Sequence, residues 1–91
     1  MKHEELMLDL QEVAQQLGIT VRYEKGDFEG GYCILKDSRV VLVNKRILPA
    51  RKAAVLALAL NDIGLENVFI KPAVREYIED EVARALRAAR Q

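Results

Sequence analysis

From Ala53 to Leu60 the chain runs Ala-Ala-Val-Leu-Ala-Leu-Ala-Leu, eight residues without a polar side chain, between Pro49 and Gly64. Proline suits the first turn of a helix, where the amide it lacks would have no partner, and glycine suits the position just past the end. The spacing therefore predicts a helix from Pro49 that stops at Gly64. A helix apolar on every side over that length has no face to give to water, so other elements must enclose it. A chain of 91 residues has material for one such enclosure. Leu, Val and Ile supply 27 residues and aromatics only five, with no Trp, so the core is aliphatic. Without repeats, low-complexity tracts or a linker, residues 1–91 read as one domain.

The flanking periodicities supply the enclosure. Leu6, Leu10, Val13, Ala14 and Leu17 fall on one helical face, and Gly18 suits a left-handed helix end with Ile19 folding back onto it. From Ile19 the period changes to two, with Ile19, Val21 and Tyr23 alternating with Thr20, Arg22 and Glu24. Lys25 to Gly31 holds three glycines and three charges in seven residues and reads as a turn or bulged hairpin. Its glycines Gly26, Gly30 and Gly31 are expected to supply positive φ. Tyr32–Leu35 and Val40–Asn44 read as further strands about a tight turn at Lys36–Arg39. The short loops predict a three-stranded antiparallel meander. Val68, Phe69 and Ile70 read as a short strand or a core plug. After them Pro72 opens a last helix with Val74, Ile78, Val82, Leu86 and Ala89 on its apolar face and Glu76, Glu79, Asp80 and Glu81 among its polar residues. The fold class expected is α+β: an N-terminal helix, the meander, a buried central helix and an amphipathic C-terminal helix.

Fourteen basic residues balance fourteen acidic ones, which argues against a globally basic nucleic-acid binder and leaves little charge repulsion against self-association. The balance is a cancellation. Lys36 to Lys52 carries six basic residues against Asp37 alone, whereas the first sixteen residues are acidic. Lys45, Arg46, Arg51 and Lys52 gather about the predicted start of the central helix, where unpaired amides and the helix dipole favour anions. These four are the anion-binding candidates. Phe28 and Tyr32, beside flexible glycines in a chain with few aromatics, are the interaction candidates, as an exposed recognition tip or, equally, as aromatics that close the edge of the core.

The residues do not assemble a catalytic constellation. The one histidine, His3, stands near the chain start and the one cysteine, Cys33, is mid-strand between apolar neighbours, expected to be a buried inert thiol. One His and one Cys give no metal-ligand spacing, and the glycines precede a strand where a phosphate-binding loop precedes a helix. Glu24, Asp27 and Glu29 read as solvated loop carboxylates. No enzyme activity, metal or cofactor is expected. A lone cysteine, a charged start at Met1–Glu5 and no apolar run of membrane-spanning length point to the cytoplasm and away from membranes.

The segment Gly31-Tyr32-Cys33-Ile34-Leu35-Lys36-Asp37-Ser38-Arg39-Val40-Val41-Leu42-Val43-Asn44, followed by Pro49-Ala50-Arg51-Lys52 and Leu56-Ala57-Leu58-Ala59-Leu60-Asn61-Asp62, resembles the sheet-plus-helix segment of small bacterial zinc metallopeptidases of the ImmA/IrrE type. In that family a strand ending Ile-Asn precedes a helix carrying Leu-Ala-His-Glu-Leu-Gly-His. The resemblance covers about half the chain. It sets Leu58 at the first zinc histidine, Ala59 at the general-base glutamate and Asp62 at the second histidine, and so implies a scaffold whose zinc chemistry is absent. The resulting expectation is a non-catalytic interaction domain that self-associates, with a homodimer as the default and either the second face of the sheet or the last helix as the contact. The alternative is an anion or nucleic-acid binding module built on Lys45, Arg46, Arg51 and Lys52.

Overall fold

The apolar stretch is the middle of a helix, and every other element touches it or supports what does. In the computed structural model, which describes residues 2–90, the elements are α1 (His3–Gln16), β1 (Thr20–Glu24), β2 (Gly30–Leu35), β3 (Ser38–Asn44), α2 (Pro49–Ile63) and α3 (Pro72–Ala89). Pro49 and Pro72 open their helices without side-chain caps. α1 ends as its sequence predicts. Gly18 has φ 72°, its N–H donates to Gln15 O at 3.0 Å, and Ile19 N–H donates to Ala14 O at 2.9 Å, which closes the helix and turns Ile19 into the core.

α2 buries Ala53 through Ala57 together with Ala59 and Leu60. α1 packs on one flank, α3 on another, and the sheet lies beneath. Leu10, Leu56, Leu60, Ile78, Val41, Val43 and Val74 are the large side chains fully out of water. Truncating one of the leucines to alanine costs about 2–5 kcal/mol, because the neighbours close the cavity only in part. Ile70 plugs this core from the α2–α3 connection, while Phe69 beside it is exposed and no strand forms there. No helix among the described residues is long and apolar enough to cross a membrane.

The fold class is α+β as expected, but the sheet is not an antiparallel meander. Its order is β1-β3-β2, with β2 antiparallel to β3 and β1 parallel to β3. The hairpin is the part the turn residues define: Lys36 and Asp37 both adopt positive φ, 49° and 69°, as a two-residue loop matched to strand twist requires. The connection from β1, residues 25–29, instead crosses the end of β3, and Asn44 holds it there. The Asn44 Nδ2 amide donates to the carbonyls of Gly26 at 2.9 Å and Phe28 at 2.7 Å, and Oδ1 accepts from Arg46 N–H at 2.9 Å. Asn44 N–H donates to Glu29 O, and the next residue's N–H, Lys45, to Glu24 O, so the chain at the end of β3 is bonded toward both sides. A buried amide with this many partners substitutes for the hairpin a meander would need.

Other expectations shift with the topology. Of the three turn glycines only Gly30 has positive φ, 150°, and a Cβ there would overlap the Leu42 carbonyl and come within 2.7 Å of a Val55 methyl. Cys33 is half-buried, since β2 is an edge strand with no neighbour on its outer side. The α3 face is only partly used: Val74 and Ile78 are buried, Val82 is half-buried, and Leu86 and Ala89 are exposed. Glu81, expected among the polar residues of α3, is buried, with Arg84 donating to its carboxylate at 2.8 Å.

Candidate interaction surface

The sheet has one covered face. Ile19, Val41 and Val43 enter the core, so strand alternation turns Val40 and Leu42 to the opposite side. Cys33 stands beside Val40 and Gly31 beside Leu42 in the antiparallel register, and Leu35 faces Ser38 at the hairpin end. The hollow over Val40 is lined by strand and turn residues, Thr20, Arg22, Leu35, Lys36 and Ser38. None of the three helices packs on this side: α1 and α2 meet the sheet through the core face, and α3 does not meet it. Cys33 and Leu42, both half-buried, and exposed Leu35 thus form an apolar stripe on which no helix lies, around a Val40 that is itself buried.

The same strand is bare along its edge. Glu29 O is bonded to Asn44 N–H, so Glu29, Gly31, Cys33 and Leu35 turn their main-chain groups toward β3, whereas Gly30, Tyr32 and Ile34 turn theirs outward. β2 carries no charged residue, and Ile34 is 64% exposed, Leu35 41% and Tyr32 40%. On the core side Tyr32 lines a groove walled by Val55, Leu58, Ala59 and Asp62 of α2, with the Glu29–Arg51 ion pair at its mouth. The three α2 positions at which the metallopeptidase pattern would put its zinc ligands and base therefore share one wall, as Leu58, Ala59 and Asp62.

The two aromatic candidates occupy different elements. Phe28 sits in the β1–β2 crossover with its carbonyl bound by Asn44, and its ring packs on Gly26, where a Cβ would overlap it. Tyr32 is mid-strand in β2, and its hydroxyl accepts from Arg39 Nε at 3.2 Å while Arg39 Nη1 donates to Leu17 O at the end of α1.

The basic candidates disperse. Arg51 donates to both Glu29 carboxylate oxygens, at 2.8 and 2.9 Å, a two-pronged pair that holds the Glu29 carboxyl below its usual range. Arg51 also stands near Glu81 and Tyr77 of α3. Burial, with Glu81 adding to it, pushes the Tyr77 hydroxyl up to about 12. Lys52 points to the other side of α2 into an apolar groove with His3, Met7 and Tyr23. Lys45 and Arg46 are exposed in the loop after β3. Charge counting along the chain could not reveal the Glu29–Arg51 pair, because its partners are 22 residues apart. The sequence reading likewise missed the bare edge, since an edge strand is defined by topology; the uncharged run Gly30–Leu35 was the available signal.

His3 and Cys33 lie on opposite sides of the sheet's middle strand, His3 over β1 and Cys33 on β2. Among the described residues no group of three or more His, Cys, Asp or Glu side chains is placed to hold a metal ion. The chain matches no family model, and comparison with curated proteins and with solved structures gives no match either.

Proposed function

We propose that this chain is a non-catalytic cytoplasmic interaction domain that self-associates through surface its own fold leaves uncovered. The observation that carries the reading is the combination in β2 of an uncharged free edge with an adjoining uncovered apolar stripe. Soluble domains ordinarily guard such an edge with charge, proline, a bulge or a covering segment, and an unguarded one is a template for another strand. Leu58 and Ala59 support the same reading from the groove side: where the peptidase-like pattern calls for a metal ligand and a base, these side chains offer only apolar contact. A single half-buried thiol, Cys33, fits a reducing compartment.

Sedimentation across a concentration series tests the proposal. A mass above that of one chain, retained at high salt, is expected of contacts made by aliphatic side chains and main-chain bonds. A chain that stays monomeric throughout while binding heparin in a steeply salt-dependent way would overturn it in favour of the anion-binding module, of whose four candidates Arg51 is engaged with Glu29 and Lys45, Arg46 and Lys52 are not in an ion pair among the described residues.

A further inference from the structure

We infer that the occupant of the β2 edge is β2 of a second copy, paired antiparallel about a two-fold axis at Cys33, so that two sheets join as one continuous sheet of six strands. The inference rests on the self-association reading and specifies its surface and register. Symmetry removes most alternatives. A two-fold that pairs identical edges antiparallel stands perpendicular to the sheet, so each side chain meets one from the same face, and the axis passes through a residue pair. Main-chain groups free for pairing belong to Gly30, Tyr32 and Ile34.

With the axis at Cys33, Tyr32 of each copy faces Ile34 of the other, and these two pairs exchange about four main-chain hydrogen bonds. Cys33 faces Cys33, and Leu35 faces Gly31, a large side chain over an absent one. Each exposed apolar side chain of the strand then has an uncharged cross-strand neighbour. With the axis at Tyr32, Leu35 faces Glu29 and Ile34 faces Gly30; with the axis at Ile34, Tyr32 faces Lys36. Only the Cys33 register keeps charge out of the pairs between residues 31 and 35.

Self-complementarity points to a second copy over a foreign strand: about Cys33 the strand's own sequence sets large against small at Leu35 and Gly31, sets apolar against apolar at Tyr32 and Ile34, and brings no charge into those pairs. Past the paired residues the same register sets Lys36 opposite Gly30 and Asp37 opposite Glu29, whose charge Arg51 already offsets. On the helix side, Ile34 of the second copy comes beside Tyr32 at the mouth of the groove under Val55 and Leu58.

The test uses the full chain. Sedimentation at high micromolar concentration is expected to give twice the chain mass, and Ile34→Lys, whose fold is checked by circular dichroism, is expected to weaken the dimer by at least about tenfold through like charges beside the axis. Diamide oxidation is expected to trap wild type as a disulfide dimer through Cys33, since directly opposed residues of this kind lie within disulfide reach. Cys33→Ser combined with Leu35→Cys places the thiols several residues apart and is expected to trap little. A dimer indifferent to Ile34→Lys and not trapped by Cys33 overturns the β2 pairing and leaves self-association standing; trapping as readily at position 35 as at 33 overturns the register; a monomer at all concentrations overturns both readings.

Discussion

β1 and β2 are both edges of one sheet and both pair with β3, yet they are finished differently. β1 carries Arg22 and Glu24, joined at 2.7 Å on the uncovered face, and its Tyr23 lies in the groove with Met7 of α1 and Lys52 of α2. β2 carries no charge and presents Tyr32, Ile34 and Leu35 to solvent. The sheet has thus one guarded edge and one open edge, and growth from it is limited to a single side. A pair of such sheets closes on itself, whereas two open edges would continue indefinitely.

The asymmetry depends first on Asn44, which holds the crossover that sends β1 to the far side of β3. Asn44→Ala is expected to cost about 2–3 kcal/mol, measured by denaturant unfolding, since it removes the donor to two carbonyls and the acceptor for one amide. Asn44→Asp is expected to cost at least as much near neutral pH, because a carboxylate then faces the carbonyls of Gly26 and Phe28, and to recover part of the loss as acid protonates it. A cost under about 0.5 kcal/mol for the alanine variant would show that the crossover holds itself.

The guard on β1 is tested by removing it. Arg22→Val with Glu24→Val leaves both edges uncharged, and light scattering is expected to detect assemblies larger than a dimer; unchanged scattering would locate the guard in the covering helices. A smaller effect is expected at the hairpin that carries the open edge. Lys36→Asn with Asp37→Gly relieves two positive-φ residues and is expected to stabilise by about 1 kcal/mol, raising Tm by about 5 °C. No gain would mean that these residues sit in the turn without strain.

The smallest effect concerns the ion pair at the end of the open edge. The Glu29 carboxyl is lowered, first by the hydrogen bond from Arg51, so its contribution to stability is present above the ordinary glutamate range and is lost as pH falls through the lowered value. Arg51→Met is expected to move the Glu29 midpoint upward, read by carbon NMR of the carboxyl. An unmoved midpoint would separate Arg51 from Glu29 in solution.

How far the sequence reaches is clearest from these same elements. The unbroken apolar run of α2 and the Gly18 stop of α1 are local signals, each decided within a few residues, and both are legible. The β2–β3 hairpin is legible too, because only adjacent antiparallel strands accept a two-residue loop. Five residues between β1 and β2 suit either a neighbouring strand or a step across one, and the residue that decides, Asn44, follows them by fifteen positions or more. Arg51 read as a free cation for the same reason: its partner Glu29 is brought beside it by the fold. Glu81 is within reach of periodicity, seven residues after Val74 and three after Ile78 on the face they bury, and only its charge argues against burial; Arg84 holds its carboxylate.

Gly30 gives the open edge a history as well as a shape. A lysine or glutamate there would be a direct way to close that end of β2, but any side chain meets the Leu42 carbonyl and Val55 before it reaches solvent. Single substitutions scanned across β2 should therefore find this position closed to everything but glycine, while Ile34, 64% exposed, accepts a charge. Gly31, where a Cβ meets nothing within 4 Å, and Ile34 are the positions at which a charge can seal the edge, so a lineage that lost the need for a partner would be expected to show that loss at one of these and not at Gly30.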